Sequence, residues 1–315
     1  MNAGNGGEQP LTLVVICGPT AGGKTALALQ LAEQCELEII SSDSRQVYRG
    51  MDIGTAKATI EERSKVRHHL IDVVDPDEDF TASDFLQQGR AALLDIAGRQ
   101  RLPLVVGGTG FYIEALLRGL VDAPGADPAL RQELAESELM HGPGSLHVRL
   151  QAVDPAMAAR LTPLDQVRII RALEVFYQSG QRLSDLQDRH AAVQSPFRVL
   201  TIGLTSQRDL LYERINGRVY AMMEAGLLQE AEALLDRGYS PELKALKTIG
   251  YQESVNHLLG KASLQDTISL IQRNSRRYAK RQLTWFGKHK EIIWLDSPRE
   301  FAKVLKLIDH FIMSK

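Results

Sequence analysis

The clearest chemical signature in the sequence is a glycine-rich loop that matches the phosphate-loop pattern G-x-x-x-x-G-K-T. Its residues are Gly18, Pro19, Thr20, Ala21, Gly22, Gly23, Lys24 and Thr25. In this pattern backbone N–H groups turn toward phosphate oxygens, the lysine faces the outer phosphate, and the threonine hydroxyl binds Mg²⁺. The loop therefore predicts a bound pyrophosphate or polyphosphate with Mg²⁺ on Thr25. It does not distinguish a nucleoside triphosphate from a prenyl pyrophosphate.

A polar cluster at residues 41–50 follows the apolar run 37–40. In open α/β folds ligands bind at the carboxyl ends of parallel strands. Asp43 is the best candidate for a general base, because a carboxylate within hydrogen-bond reach of a substrate N–H accepts its proton during attack. An Asp at this place is also typical of a capped turn or helix, so the spacing leaves both roles open.

A second glycine-rich turn, Gly107-Gly108-Thr109-Gly110, follows the apolar run 104–106. Ordinary P-loop nucleoside triphosphatases often place an Mg²⁺-binding Asp at the end of such a run, and this sequence has none there. The glycines let the backbone approach a ligand closely and leave Thr109 as the only side-chain hydrogen-bonding group among the four. A tight turn between a strand and a helix explains the same residues without any ligand.

The segment between Asp266 and Glu291 contains no acidic residue. Its basic residues are Arg273, Arg276, Arg277, Lys280, Arg281, Lys288 and Lys290. Helical spacing gathers the first five onto neighbouring positions, and Tyr278, Trp285 and Phe286 add aromatic surfaces that stack on bases or pack into a core. Because a solvated charged face carries both signs of charge, the pattern favours contact with a nucleic-acid backbone.

The composition excludes several classes of protein. The chain of 315 residues is 44% hydrophobic and 24% charged, which is typical of soluble proteins, and its net charge of -2 excludes a uniformly cationic surface. Its two cysteines, Cys17 and Cys35, cannot form a disulfide framework or a four-ligand zinc site. Residues 1–10 have neither a cationic start nor an apolar stretch, so they predict a disordered tail and no membrane anchor. We expect a monomeric, cytoplasmic protein.

The apolar runs predict the architecture that positions these groups. Short runs at 11–17, 37–40, 70–74, 104–106, 199–202 and 292–295 are typical of buried parallel strands. Helical patterns occur at 84–99, 209–223, 227–237 and 264–286. The sequence thus predicts an α/β fold, a P-loop doubly wound parallel sheet, with its core in 11–122 and 197–315. Residues 123–196, which lack strand runs and contain several prolines, predict a helical insertion domain.

Five segments together closely resemble the bacterial tRNA dimethylallyltransferase family: 18–25, 43–57, 67–72, 107–112 and 171–175. The longest of these, 43–57, is far more specific than the phosphate loop. The resemblance implies transfer of a dimethylallyl group from dimethylallyl pyrophosphate to the exocyclic N6 of the adenosine immediately 3′ of the anticodon. The phosphate loop would then hold pyrophosphate and not ATP.

The resemblance also implies roles for individual residues. Asp43 matches the base for the adenine amine, Thr109 lies beside the bridging oxygen of the donor, and Arg218 joins Lys24 at the pyrophosphate. Residues implied to contact tRNA are Asp43, Ser44, Arg45, Gln46, Thr109, Arg131, Val167, Arg168, Ile169, Ile170, Arg171, Lys247, Thr248, Ile249, Gly250, Tyr251, Lys280, Arg281, Gln282, Leu283, Thr284, Trp285, Phe286 and Gly287. The departures from the family pattern, at Gly22, Ser42 and Ala58, remove no reacting group.

Two other functions are compatible with parts of the sequence. A small-molecule kinase has the same phosphate loop and α/β core and uses ATP, but the absent Mg²⁺-binding Asp and the basic segment weigh against it. A non-catalytic RNA-binding protein that uses a nucleotide as a switch explains the basic segment and leaves Asp43 and Thr109 without a role. For the transferase, we expect the target adenosine to swing out of its stack, and the basic helix and the insertion to clasp the anticodon stem-loop.

Overall fold

The structure is a computed structural model that describes residues 10–296 and 300–314. The expected disordered tail therefore lies almost entirely outside the described residues. The described chain divides into two compact units. One contains Arg118–Ser195, and the other contains the described residues on either side of it.

The larger unit is built on a parallel sheet of six strands in the order β3-β2-β4-β1-β5-β6. The strands are β1 (Thr12–Cys17), β2 (Leu37–Ser42), β3 (His68–His69), β4 (Leu102–Gly107), β5 (Arg198–Thr205) and β6 (Ile293–Asp296). In the centre of the sheet, Val14 pairs with Leu104 on one side and with Leu200 on the other. The doubly wound parallel sheet expected from the apolar runs is confirmed.

One predicted strand was wrong. The sequence predicts a strand at 70–74, whereas the structure has a short strand at His68–His69 and an irregular segment after it. The backbone is left-handed at Leu70 and at Asp72, with φ of 62° and 57°. Such a conformation is incompatible with a strand. The backbone N–H groups of Asp72 and Val73 donate to the carbonyl oxygens of Gln46 and Val47, and the Asp72 carboxylate pairs with Lys57 and Arg63.

The described residues form fourteen helices. They are α1 (Lys24–Ala32), α2 (Ile60–Lys65), α3 (Ala82–Gly98), α4 (Gly110–Arg118), α5 (Pro128–His141), α6 (Ser145–Val153), α7 (Pro155–Arg160), α8 (Gln166–Ser179), α9 (Leu183–Ala191), α10 (Arg208–Glu224), α11 (Leu227–Asp236), α12 (Tyr251–Leu258), α13 (Leu264–Phe286) and α14 (Phe301–Met313). The four helices predicted from periodicity are all present, and the bounds of α13 agree with the prediction at both ends.

Alternate residues of the central strands pack on opposite faces of the sheet. Val14 and Ile16 belong to a core that includes residues of α1 and α14, whereas Leu13 and Val15 belong to a core that includes residues of α3 and α4. A parallel strand covered on both faces needs apolar side chains at every position. This requirement explains why β1 is a continuous apolar run and not an alternating one.

A third apolar cluster fixes the polar segment 43–57 against the helices that follow β5. Val47, Tyr48 and Met51 are buried with residues of α10, α11, α12 and α13. The Glu230 carboxylate accepts hydrogen bonds from the backbone N–H groups of 52–54 and from the Tyr251 hydroxyl. These contacts hold the residues after β2 in a defined conformation at the carboxyl edge of the sheet.

The smaller unit consists of α5, α6, α7, α8 and α9 around its own apolar core. Two buried carboxylates organise it. Glu174 accepts hydrogen bonds from Arg131, Arg171 and the backbone of Asp127, and Glu138 accepts from the first backbone N–H groups of the segment that begins α6. Because these hydrogen bonds satisfy both charges, the burial of the carboxylates is compensated.

Candidate active site

The phosphate loop joins β1 to the N-terminus of α1, as its sequence predicts. Gly18 has φ of 137°, and a Cβ at this position would lie 2.6 Å from the Leu204 carbonyl oxygen of β5, so only glycine fits. The Lys24 Nζ folds back and donates hydrogen bonds to the carbonyl oxygens of Gly18, at 3.0 Å, and Pro19, at 2.8 Å. The loop therefore holds a cation over its own backbone, and no carboxylate of the described residues is bonded to it.

Two cavities adjoin at this edge of the sheet. The phosphate chamber, of about 520 Å³, is lined by the loop residues 20–26 together with Lys57, His68, Arg214 and Gln282 among others. The second chamber, of about 310 Å³, is lined by Ser44, Arg45, residues 247–250 and apolar side chains of α10. Residues that line both chambers are Thr20, Ala21, Asp43, Thr55, Arg218 and Tyr278. We call this set the shared wall.

The shared wall brings opposite charges together. Burial lowers the pKa of Lys24 to about 8, and the positive charge of Arg218 contributes in the same direction, whereas Asp43 opposes the shift. Burial also lowers the pKa of Arg218, again opposed by Asp43. The Nη1 of Arg218 donates to the Thr20 Oγ1 at 3.3 Å. Two half-buried cations that make no ion pair among the described residues favour the entry of an anion.

The structure places Asp43 both in a capped turn and at the wall of the two chambers. Its Oδ1 accepts a hydrogen bond of 2.9 Å from the Arg45 backbone N–H, which is the geometry of a capped turn. The same side chain lines both chambers. The turn therefore orients a carboxylate at the boundary between the two cavities.

The structure explains the glycines around Thr109 by packing. A Cβ at Gly107 would lie 2.0 Å from the Ser42 carbonyl oxygen, one at Gly108 would lie 2.1 Å from the Gln282 Nε2, and one at Gly110 would lie 2.2 Å from the Trp285 ring. The turn therefore packs closely against β2 and α13. The Thr109 Oγ1 accepts from the Ser44 backbone N–H at 3.2 Å, which places this hydroxyl beside the residues that follow Asp43.

Tyr278 and Gln282 form the inner side of α13 at the chambers, a role that is not predicted from the sequence. Burial, followed by the charge of Asp43, raises the pKa of Tyr278 to about 12, so its phenol stays protonated near neutral pH. Gln282 is 6% exposed. Their spacing of four residues, which places two side chains on one helix face, is the sequence signal for such a pair.

The residues of the larger unit that were expected to contact tRNA have several different environments. Those lining the second chamber are Asp43, Ser44, Arg45, Lys247, Thr248, Ile249, Gly250 and Arg281. The side chains of Lys280, Thr284 and Trp285 on α13 are exposed. Gln282, Phe286 and Tyr251 are buried, and the Gln46 side chain is bonded to Ser41 and to the backbone of Thr55 and Ala56.

In the smaller unit, the expected tRNA contacts also differ in their availability. Val167 is 82% exposed and Ile169 is buried. Arg168 is exposed and pairs with Asp165 at 2.6 Å. Arg131 and Arg171 both donate to the buried Glu174, at 2.7 Å and 2.6 Å, so their charges are already compensated within the unit.

Thr25, the expected Mg²⁺ ligand, lies on the first turn of α1 and lines the phosphate chamber. Its hydroxyl makes no hydrogen bond to another residue within 10–296 and 300–314. Mg²⁺ prefers oxygen ligands and is held largely by substrate phosphates and water. A free hydroxyl beside a chamber for phosphate therefore fits this ion. Within the described ranges, no three His, Cys, Asp or Glu side chains converge on one point.

Among the helices of the described chain, none has the length and apolar character needed to cross a membrane.

The chain matches two protein-family models. One, described as IPP transferase, matches residues 46–289, and the other, described as isopentenyl transferase, matches residues 11–79. A relative from Syntrophotalea carbinolica named tRNA dimethylallyltransferase 1 is 63% identical over 300 residues, which cover 95% of this chain and 96% of the relative. A tRNA dimethylallyltransferase from Geobacter metallireducens is 50% identical over 96% of this chain and 98% of its own length.

Two solved structures are also similar to this chain over most of its length. The full-length tRNA isopentenylpyrophosphate transferase of Bacillus halodurans is 41% identical, with a TM-score of 0.72, and the match covers 96% of this chain and 97% of that one. A eukaryotic dimethylallyltransferase, described in crystallographic snapshots as acting on tRNA, is 30% identical with a TM-score of 0.84. That match covers 96% of this chain and 80% of the eukaryotic chain.

Proposed function

This chain belongs to the IPP transferase family and is a prenyltransferase that acts on tRNA, and we propose that it prenylates the adenosine immediately 3′ of the anticodon. The transferred group is dimethylallyl and the donor is dimethylallyl pyrophosphate. The observation that carries the proposal is the shared wall, where Asp43 and Arg218 each line both chambers. In a transferase the donor and the acceptor bind in different places and must meet at the reacting atoms. A wall shared by two chambers provides such a meeting point.

We assign the pyrophosphate of the donor to the phosphate chamber. Lys24 and Arg218 are half-buried cations, and the N-terminus of α1 adds the positive end of a helix. Their combined field stabilises the negative charge that develops on pyrophosphate as it leaves. A kinase that uses ATP is not favoured, because the family and the described relatives are prenyltransferases.

The second chamber is the proposed site of the acceptor base. The bond between C1 of the dimethylallyl group and the bridging oxygen breaks, and its electron pair goes to the pyrophosphate. The N6 lone pair forms the new bond to C1, and Asp43 accepts the N6 proton. The Thr109 Oγ1 accepts a hydrogen bond from the Ser44 N–H, and the Thr109 hydroxyl is also hydrogen-bonded to the Tyr278 side chain. We propose that, with the donor bound, the Thr109 hydroxyl donates its proton to the leaving oxygen.

Mg²⁺ is the proposed metal, with the Thr25 hydroxyl as its protein ligand. The free hydroxyl in the phosphate chamber supports this assignment, as does the general preference of Mg²⁺ for phosphate oxygens. When bound, the ion neutralises part of the pyrophosphate charge. The protein residues hold the donor in place and accept the proton.

The anticodon stem-loop is the proposed tRNA element, and the exposed cations of α13 are its proposed backbone contacts. Arg273, Arg277 and Lys280 are exposed on this helix. The target adenosine must leave its stack to reach the second chamber, at a cost of a few kcal/mol. We also propose that the helical unit, through exposed residues such as Arg168, contributes to binding the stem-loop. Action as a cytoplasmic monomer stays a prediction.

Labelled transfer tests the proposal. One reaction contains radiolabelled dimethylallyl pyrophosphate and the other γ-labelled ATP, each with an unmodified anticodon stem-loop that carries adenosine at the target position. We expect acid-stable label in the RNA from the prenyl donor only. A stem-loop with guanosine at the same position is the matched control and should remain unlabelled. Label from ATP alone, or equal label in the guanosine stem-loop, would contradict the proposal.

A further inference from the structure

Helix α13 has two sides with different environments. Arg273, Arg277, Lys280 and Arg281 are exposed and positively charged. The opposite side carries Ala279, Gln282 and Phe286, which are buried. Gln282 stands out on the buried side because it is polar, and a buried amide is stable only when its donor and acceptor atoms are bonded.

The two halves of the Gln282 amide hold two different loops. Its Oε1 accepts a hydrogen bond of 2.8 Å from the backbone N–H of Thr20 in the phosphate loop. Its Nε2 donates a hydrogen bond of 2.9 Å to the carbonyl oxygen of Gly108, beside Thr109. The partners lie 262 and 174 residues away along the chain, so this one side chain connects three distant segments.

The fit around this amide is close. A Cβ at Gly108 would lie 2.1 Å from the Gln282 Nε2, so any larger residue there displaces the amide. Thr20, the other partner, also accepts a hydrogen bond from Arg218 through its Oγ1. Gln282 is therefore linked through Thr20 to one of the two cations of the phosphate chamber.

We propose that Gln282 is a positioning residue for the donor and not an RNA contact. It fixes Thr20, and through Thr20 the guanidinium of Arg218, relative to the turn that carries Thr109. The inference rests on the proposed function, because it concerns the same pyrophosphate site. It reassigns a residue of the basic helix from the acceptor RNA to the donor.

Gln282→Met tests the proposal, since Met has a similar volume but cannot form either hydrogen bond. Leaving the half-buried Thr20 N–H and the buried Gly108 carbonyl without partners should weaken binding of inorganic pyrophosphate about ten-fold and raise the KM for dimethylallyl pyrophosphate by a similar factor. Affinity for the anticodon stem-loop should stay within about two-fold of the wild type, because the exposed cations are intact. Calorimetry gives the pyrophosphate Kd, and filter binding gives the RNA Kd.

Gln272→Met is the matched control. Gln272 is on the same helix, but its Nε2 contacts the Asn216 carbonyl oxygen of α10 at 3.4 Å and not the two loops. We expect its pyrophosphate Kd to remain near that of the wild type. If Gln282→Met fails to fold, Gln282→Asn, which keeps the amide on a shorter stem, replaces it, with the same loss of pyrophosphate binding expected.

Two results would overturn the inference. One is an unchanged pyrophosphate Kd in the folded Gln282 variant, and the other is weakened RNA binding with normal pyrophosphate binding. Failure of the proposed function is a separate result, because the wild type would then transfer no label while its pyrophosphate Kd can still be compared with that of the variant.

Discussion

Two lysines in this protein, the buried Lys57 and the half-buried Lys24, have opposite electrostatic surroundings. The Nζ of Lys57 donates to the Tyr48 carbonyl oxygen at 2.8 Å and contacts the carboxylates of Asp52, at 2.5 Å, and Asp72, at 2.6 Å. Lys24, in the phosphate loop, donates only to backbone carbonyl oxygens among the described residues. The charge of Lys57 is neutralised within the fold, whereas that of Lys24 is not.

The difference separates a structural cation, Lys57, from the proposed pyrophosphate-binding cation, Lys24. Burial alone does not make the distinction, because the Lys57 side chain is 1% exposed and lies in the same chamber wall. What distinguishes Lys24 is the missing carboxylate partner. The same reasoning applies to Arg131 and Arg171. Both pair with the buried Glu174, so their charges are compensated within the smaller unit.

The largest expected effect on stability is from Lys57→Met. Removing this cation leaves the half-buried Asp72 with Arg63 as its remaining ion-pair partner and releases the segment 52–57. Because the Asp52 carboxylate is exposed and Asp72 keeps Arg63, the loss is that of the hydrogen bonds made by the ammonium, about 1–3 kcal/mol of unfolding free energy. We expect a loss in this range by chemical denaturation. Lys65→Met, which removes an exposed lysine of α2, is the control and should unfold like the wild type.

For Lys24→Met we expect the opposite result, a loss of activity without a loss of stability. Because burial lowers the pKa of Lys24, its charged form opposes folding near neutral pH, so the Met variant should be at least as stable as the wild type. Loss of the uncompensated cation should reduce kcat/KM for transfer by about 10²-fold or more, as removal of one preorganised charge partner does elsewhere. Steady-state kinetics and thermal unfolding on the same preparation measure both. Equal losses of stability in the two lysine variants would remove the distinction between them.

A smaller effect is expected from pH. The pKa of Lys24 is lowered to about 8, so its ammonium is charged below that pH and loses its proton above it. Binding of inorganic pyrophosphate should therefore weaken about ten-fold between about pH 7 and about pH 9.5. Lys24→Met keeps Arg218 and Asp43 and so isolates the contribution of Lys24. In that variant the decrease should disappear, and its persistence would assign the titration to another group.

The sequence predicted the parts of this molecule that depend on local pattern. The phosphate loop, the apolar strands and α13 follow from spacing and periodicity over a few residues, and the structure confirms them. The strand expected at 70–74 was wrong because the backbone N–H groups of Asp72 and Val73 bond to Gln46 and Val47, which are distant in sequence, and the backbone at Leu70 and Asp72 is left-handed.

The types of residue in the candidate site were predictable from the sequence, whereas most of the contacts between them were not. Asp43, Thr109 and Lys24 were identified from motif and resemblance, and their roles stay proposals. The pairing of Gln282 with Thr20 and Gly108 joins segments far apart in the chain, and no short pattern encodes it. The pairing of Arg131 with Glu174 has the same origin, which is why an arginine expected to bind RNA was not recognised as an internal partner.

The most direct test of the account is the single-turnover rate of Asp43→Asn. It is measured with saturating labelled dimethylallyl pyrophosphate and with enzyme in saturating excess over the stem-loop. Asn keeps the size of the side chain and the acceptor for the Arg45 N–H but cannot accept the N6 proton. The account predicts a rate lower by about 10²- to 10⁴-fold with unchanged affinity for the stem-loop. A rate equal to that of the wild type would contradict the assignment of Asp43 as the base at the shared wall.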